Sequence, residues 1–125
     1  MVRIETSFDQ KNNLTIHKVE GQITAKEIKE KIETYYAGES ITKNTLWDFT
    51  QADISNICAN EYLGLVNMTK VFAHLRKEGK TALVISDNVD YGIGRMYETL
   101  SEMEELSYEI RIFRGTKKAE NWLYS

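Results

Sequence analysis

The sequence predicts an α/β protein: a five-stranded mixed, mostly parallel sheet with about four helices, in the order β-β-α-β-α-β-α-β-α. Three observations lead there. Val2, Ile4, Thr6 and Phe8 alternate with polar residues, and Leu14 to Val19 forms a second strand after a polar DQKNN segment, so the chain opens with an antiparallel hairpin. Ala82, Leu83, Val84 and Ile85 make an unbroken apolar run, as a central parallel strand needs when both its faces are covered. The later strands are separated by segments of helical periodicity long enough to cross over, which implies parallel pairing with right-handed connections.

In the hairpin turn, Asn12 and Asn13 tolerate positive φ. Thr24 and Glu27 have the spacing of a capping box, and Ile28, Ile32, Tyr35 and Tyr36 follow at helical spacing until Gly38 stops the first helix. Thr45 to Phe49 is the next strand. The polar stretch after it reads as a turn into a long helix from about Ile57 to Glu78, with Leu65, Met68, Phe72 and Leu75 as the apolar stripe. Lys70, Arg76 and Lys77 are expected in solvent, and Gly79 at a left-handed C-terminal cap. Ser86, Asp87 and Asn88 supply capping groups for a third helix carrying Ile93, Met96, Tyr97, Leu100 and Met103. Tyr108 to Phe113 alternates again, with Glu109 and Arg111 suited to a sheet edge. Gly115 and Thr116 start a short final helix that packs Trp122 and Leu123.

A chain of 125 residues fits one domain over 1–125, with one core expected. Its 42% hydrophobic and 28% charged residues place it far from the compositions that stay disordered. With 16 Lys and Arg against 19 Asp and Glu, the net charge of -3 provides no footprint for nucleic acid, and no nucleic-acid partner is expected. No apolar run approaches the ~20 residues of a membrane helix, so no integral membrane segment is expected. The start MVRIETSFDQ lacks an apolar signal core, and the lone Cys58 suits a reducing compartment. The expected location is cytoplasmic.

The strand end Leu46-Trp47-Asp48-Phe49-Thr50, the turn and long helix after it, and the Gly92-Ile93-Gly94-Arg95-Met96-Tyr97 stretch, set in this element order, resemble the STAS fold of anti-sigma-factor antagonists and sulfate-transporter tails. The SpoIIAA-like branch of small bacterial proteins is more similar still, and its fold is also compared with CRAL-TRIO lipid-binding domains. The resemblance covers nearly the whole chain. It implies a non-catalytic regulatory or protein-interaction module, with an unidentified protein partner or a second copy of the chain. In antagonist members, a serine at the N-terminus of the helix after this strand is a phosphorylation switch within an Asp-Ser-Ser-Gly-like run. Here the run is Asp53-Ile54-Ser55-Asn56: Ile54 separates the acid from the serine, and the glycine is absent. The resemblance therefore points to Asp48, Asp53, Ser55 and Asn56 as the switch or interaction site. The residues alone also allow Ser55 to be a plain N-cap.

Other chemistries are read from the residues themselves. Glu20, Asp48 and Asp87 fall near strand ends with Asp53 and Asp90 beyond, but no two acids adjoin at one end, as a receiver domain requires; turn and capping roles suffice, and no metal is expected. Gly92, Gly94 and Arg95 open the third helix and, with Tyr97, form a candidate ligand or anion site, although the same glycines also serve close packing. Cys58 has no base at motif spacing among His17 and His74, reads as a small buried hydrophobe, and neither catalytic residues nor a cofactor are assigned. Tyr35, Tyr36, Tyr91, Tyr97, Met68, Met96 and Met103 could line a cavity for a small apolar or lipid-like ligand; at helical spacing such residues more often make core.

Overall fold

The computed structural model describes residues 2–38, 41–76, 78–103 and 108–125. The elements are β1 (Arg3–Asp9), β2 (Leu14–Gln22), α1 (Ala25–Ala37), β3 (Asn44–Asp53), α2 (Ala59–Phe72), β4 (Lys80–Val84), α3 (Asn88–Met103), β5 (Glu109–Phe113) and α4 (Thr116–Leu123), with a 3₁₀ turn over Ala73–Arg76 after α2. The strands lie in the order β1-β2-β3-β4-β5. β1 is antiparallel to β2, and the remaining pairs are parallel. Each parallel crossover steps to the next strand with the same hand, so α1, α2 and α3 are laid side by side on one face. The short α4 covers the other face.

That layering follows from the side-chain period of two. Trp47, Phe49, Leu83, Ile85, Ile110 and Ile112 point into the larger core under α1 to α3. Their neighbours Leu46, Ala82 and Val84 point the other way, onto Ala119 and Leu123 of α4. The central strands are thus apolar on both faces, as their sequence requires. Local chemistry fixes the ends. Asn13 takes φ 52° in the hairpin turn, and the Thr24–Glu27 capping box forms in both directions at the start of α1. Asp87 caps α3 through the Asp90 amide, at 3.1 Å.

Four expectations are corrected. β3 does not end at Phe49: it runs to Asp53, pairing Gln51, Ala52 and Asp53 with Glu20, Gly21 and Gln22 beyond a register shift. The polar residues read as a turn are strand, because β2 also continues past Val19 and offers them partners. The second helix is shorter than expected, tightening after Phe72. The left-handed residue at its end is Glu78, with φ 65°, not Gly79; Gly79 is required for another reason, since a Cβ there would stand 2.1 Å from the Lys43 carbonyl oxygen. Finally, Arg76 is only 3% exposed, whereas Leu75 is 45% exposed. The spacing Tyr62, Leu65, Thr69, Phe72, Arg76 carries the guanidinium inward, and its charge had argued the opposite. Lys77, also expected in solvent, falls outside the described residues.

Candidate functional site

Asp48 and the Asp53–Asn56 turn do separate work. Asp48 alternates with Trp47 and Phe49, so it faces the α4 side of the sheet. Between Asp48 and Gln51 the register with β2 slips, three steps on β3 against two on β2. Such a bulge takes an amide out of the ladder. The Asp48 carboxylate replaces the lost partner: Oδ1 accepts from the Thr50 amide at 2.9 Å and from its hydroxyl at 2.6 Å.

Asp53 repeats the device at the end of the strand, where its Oδ1 accepts from the Ser55 amide at 2.9 Å and the Ser55 hydroxyl at 2.6 Å. Those bonds hold the Asp53 carboxyl below its ordinary range. Ser55 and Asn56 are exposed, while Ile54 and Ile57 on either side are 4% exposed and anchor the turn in the core. Ser55 is not the N-cap of α2. The Tyr62 amide donates to the Cys58 carbonyl, at 3.1 Å, which puts the cap at Cys58; Glu61 reaches back to the Cys58 amide at 3.0 Å. Cys58, expected as a buried hydrophobe, is exposed. Behind the turn, Asp90 is 7% exposed. Burial, with the charges of Asp87 and Asp53, raises its pKa against the opposing bond from the Ile54 amide. No group of three or more metal-ligating side chains occurs among the described residues.

The residues expected at the start of the third helix face different ways. Gly92 is open, with nothing within 4 Å of a Cβ. Gly94 is pressed to the sheet, where a Cβ would lie 2.1 Å from Ile112 Cδ1 and 2.7 Å from Ile85 Cδ1. Arg95 pairs with Glu98 at 3.3 Å, and Glu98 in turn accepts the Ile112 amide of edge strand β5 at 2.7 Å. Tyr97 turns into the core, where burial pushes its pKa up to about 12 against a Thr69 hydrogen bond.

A cavity of about 80 Å³, partly open, lies between the sheet and the α1–α3 layer; of the residues that the sequence offers as cavity lining, Tyr35, Tyr36 and Tyr97 border it, whereas its polar residues Arg76 and His17 were not expected there. Its walls are mainly apolar and aromatic, including Ile28, Ile57, Leu65, Trp47, Phe49 and Tyr97. One end is polar. There Arg76 donates through Nε and Nη2 to the Lys43 carbonyl at 3.2 and 2.9 Å, and through Nη2 to the Lys80 carbonyl at 2.8 Å. Nη1 donates to Thr81 Oγ1 at 2.7 Å and to the Tyr36 hydroxyl at 3.3 Å, and the guanidinium lies 4.6 Å from the Tyr108 ring centroid. Every acceptor is neutral. His17, 1% exposed, also lines the cavity; its Nδ1 is 2.9 Å from the Thr6 hydroxyl of β1, and its Nε2 has no partner. Burial, then the charges of Lys31 and Arg76, lowers its pKa to about 3, so the ring is neutral. The buried Tyr62 hydroxyl also lacks a partner. The available signals were the inward spacing of Arg76 and the alternation Thr15, His17, Val19.

No protein-family model and no curated protein matches the chain. Solved structures do. An anti-sigma factor antagonist from Mycobacterium paratuberculosis aligns with TM-score 0.66 at 11% identity, over 100% of this chain and 96% of its own. An uncharacterised DUF3478-family protein from Shewanella loihica, described as having a SpoIIAA-like fold, aligns with TM-score 0.60 at 17% identity, over 98% and 93%. The anti-sigma factor antagonist SpoIIAA in its unphosphorylated form aligns with TM-score 0.53 at 13% identity, over 96% of each chain. With its mixed five-stranded sheet and four helices, the chain has the SpoIIAA-like fold.

Proposed function

We propose that the protein is a non-catalytic, STAS-like regulatory module that works through protein contacts at the rim formed by Asp53, Ser55, Asn56 and the exposed start of α2. One observation carries this reading: the rim presents an exposed hydroxyl on a turn that buried Ile54 and Ile57 hold in place. Such a turn can be recognised as a rigid surface and also broken by a single charge. A phosphate on Ser55 would remove the proton donated to Asp53 and set about -2 charges beside that carboxylate. The same side of α2 continues the surface with Leu63 and Val71, 41% and 67% exposed, apolar positions that a partner or a second copy of the chain would cover.

The test is capture of partners from lysate of the source organism by the immobilised protein, with bound proteins identified by mass spectrometry. Ser55→Glu and Val71→Asp should each reduce recovery of the same partner at least about tenfold, a loss of roughly 1.4 kcal/mol. Ser55→Ala, and Lys117→Glu on the opposite α4 face, should leave it intact. Equal recovery by all four variants would remove the rim as the contact site.

The lipid-like alternative is constrained by volume. A cavity of about 80 Å³ exceeds the ~10–15 Å³ that one water needs, but is about half of the ~150 Å³ apolar cavity that admits benzene. A long acyl chain does not fit this space. A small molecule does.

A further inference from the structure

The cavity holds a charge and donors without matching acceptors. Arg76 is a buried cation whose five N–H groups all reach neutral oxygens, and no carboxylate pairs with it among the described residues. Because Arg76 donates into the Thr81 and Tyr36 oxygens, their own hydroxyl protons must point away from it. Thr81 lies 3.0 Å from Thr45, and whichever of the two donates, one hydroxyl proton of the pair is left over. The Tyr36 proton likewise has no acceptor among the described residues. Both Thr45 and Tyr36 line the cavity. The polarised hydroxyls thus form a second layer of donors in front of the guanidinium. Further along, the Tyr62 hydroxyl stands buried and unpartnered, as does His17 Nε2, which is a donor in the tautomer whose Nδ1 accepts from the Thr6 hydroxyl. Unpaired polar groups of this kind are costly in a dry interior, and a ligand that supplies acceptors relieves that cost.

We propose that this cavity is a binding site for a small monoanion with a short apolar body, a short-chain carboxylate, whose oxygens meet the Tyr36 and Thr45/Thr81 hydroxyls before Arg76 while its carbon chain lies against Trp47 and Leu83. The negative charge answers the cation that the fold leaves without a carboxylate partner, and the cavity volume limits the chain length. The proposal is independent of protein contacts at the rim.

The experiment titrates the full chain with acetate, ethanol and decanoate, following the Trp47 indole and His17 ring signals by NMR. Trp122, which packs on the α4 face, is the internal control. Acetate should shift Trp47 and His17 but not Trp122, and should bind at least about tenfold more tightly than ethanol. Decanoate should bind no better than acetate. Leu83→Phe, which fills the cavity and leaves Arg76 in place, should abolish the acetate shifts, and Tyr36→Phe should weaken them several-fold. The proposal is overturned if acetate and ethanol bind alike, if neither shifts Trp47, if decanoate binds much more tightly, or if Leu83→Phe binds acetate unchanged.

Discussion

Among the groups with a shifted pKa, His17 is the one whose ordinary value lies nearest neutrality. Its ring stacks at a tilt on Trp47, 4.4 Å between centroids, and meets Tyr35 edge-on at 5.4 Å. In this setting it stays neutral down to a pH of about 3, whereas an unfolded chain protonates it near 6.5. Below 6.5 the unfolded state therefore binds a proton that the folded state refuses. Stability from this group is complete above 6.5 and is lost as pH falls from there toward about 3. The slope approaches ~1.4 kcal/mol per pH unit. Asp90, whose pKa is raised, acts in the opposite sense as pH falls, and the lowered Asp53 and Glu61 lose their contribution only in the carboxylate range. Urea unfolding of the protein and of His17→Gln between pH 4.5 and 7 separates these effects. The difference in unfolding free energy should shrink with acidity by about one proton's worth, and parallel curves would show that His17 is not held neutral.

At the level of elements, α3 rests on the sheet through Gly94, and the neighbouring Gly92 provides the comparison. Gly94→Ala pushes a methyl group against Ile112 and Ile85, flexible side-chain ends that must shift, and should cost roughly 1–3 kcal/mol. Gly92→Ala meets open space and should stabilise the helix by up to ~1 kcal/mol. Thermal unfolding of the two variants checks both signs; a loss at both positions would mean that Gly92 has a role besides helix building. Elements whose determinants are local were legible in the sequence. The Thr24–Glu27 box fixed the start of α1, and the Ala82 to Ile85 run identified a strand covered on both faces. Those governed by distant partners were not. The continuation of β3 through Thr50–Asp53 depends on β2 extending to Gln22, and the bulge that gives Asp48 its role exists only once the two strands are in register. Arg76 is the sharpest case. Lys80 and Thr81 follow it closely in the chain, but the acceptors from Tyr36 and Lys43 reach it only through the fold, so residue type outweighed a spacing that pointed inward.

For the molecule as a whole, the topology divides the labour between two places. The helix-covered face buries a cavity with a polar end, while the carboxyl end of β3 raises the Asp53–Asn56 turn into solvent. Ile54 and Ile57 belong to both, lining the cavity and anchoring the turn. In the described residues no helix is long and apolar enough to cross a membrane, and β5, a free edge of the sheet, is guarded by Glu98. The central claim is that Ser55 governs the conformation of the rim. Amide hydrogen exchange on the protein and on Ser55→Glu tests it most directly, because the Ser55 amide is bonded to Asp53 and the Ile57 amide to the Ile54 carbonyl. Exchange at Ser55 and Ile57 should quicken at least about tenfold in Ser55→Glu, corresponding to ~1.4 kcal/mol of local opening, while β4 amides stay unchanged. Identical exchange at the rim in both proteins would contradict the account.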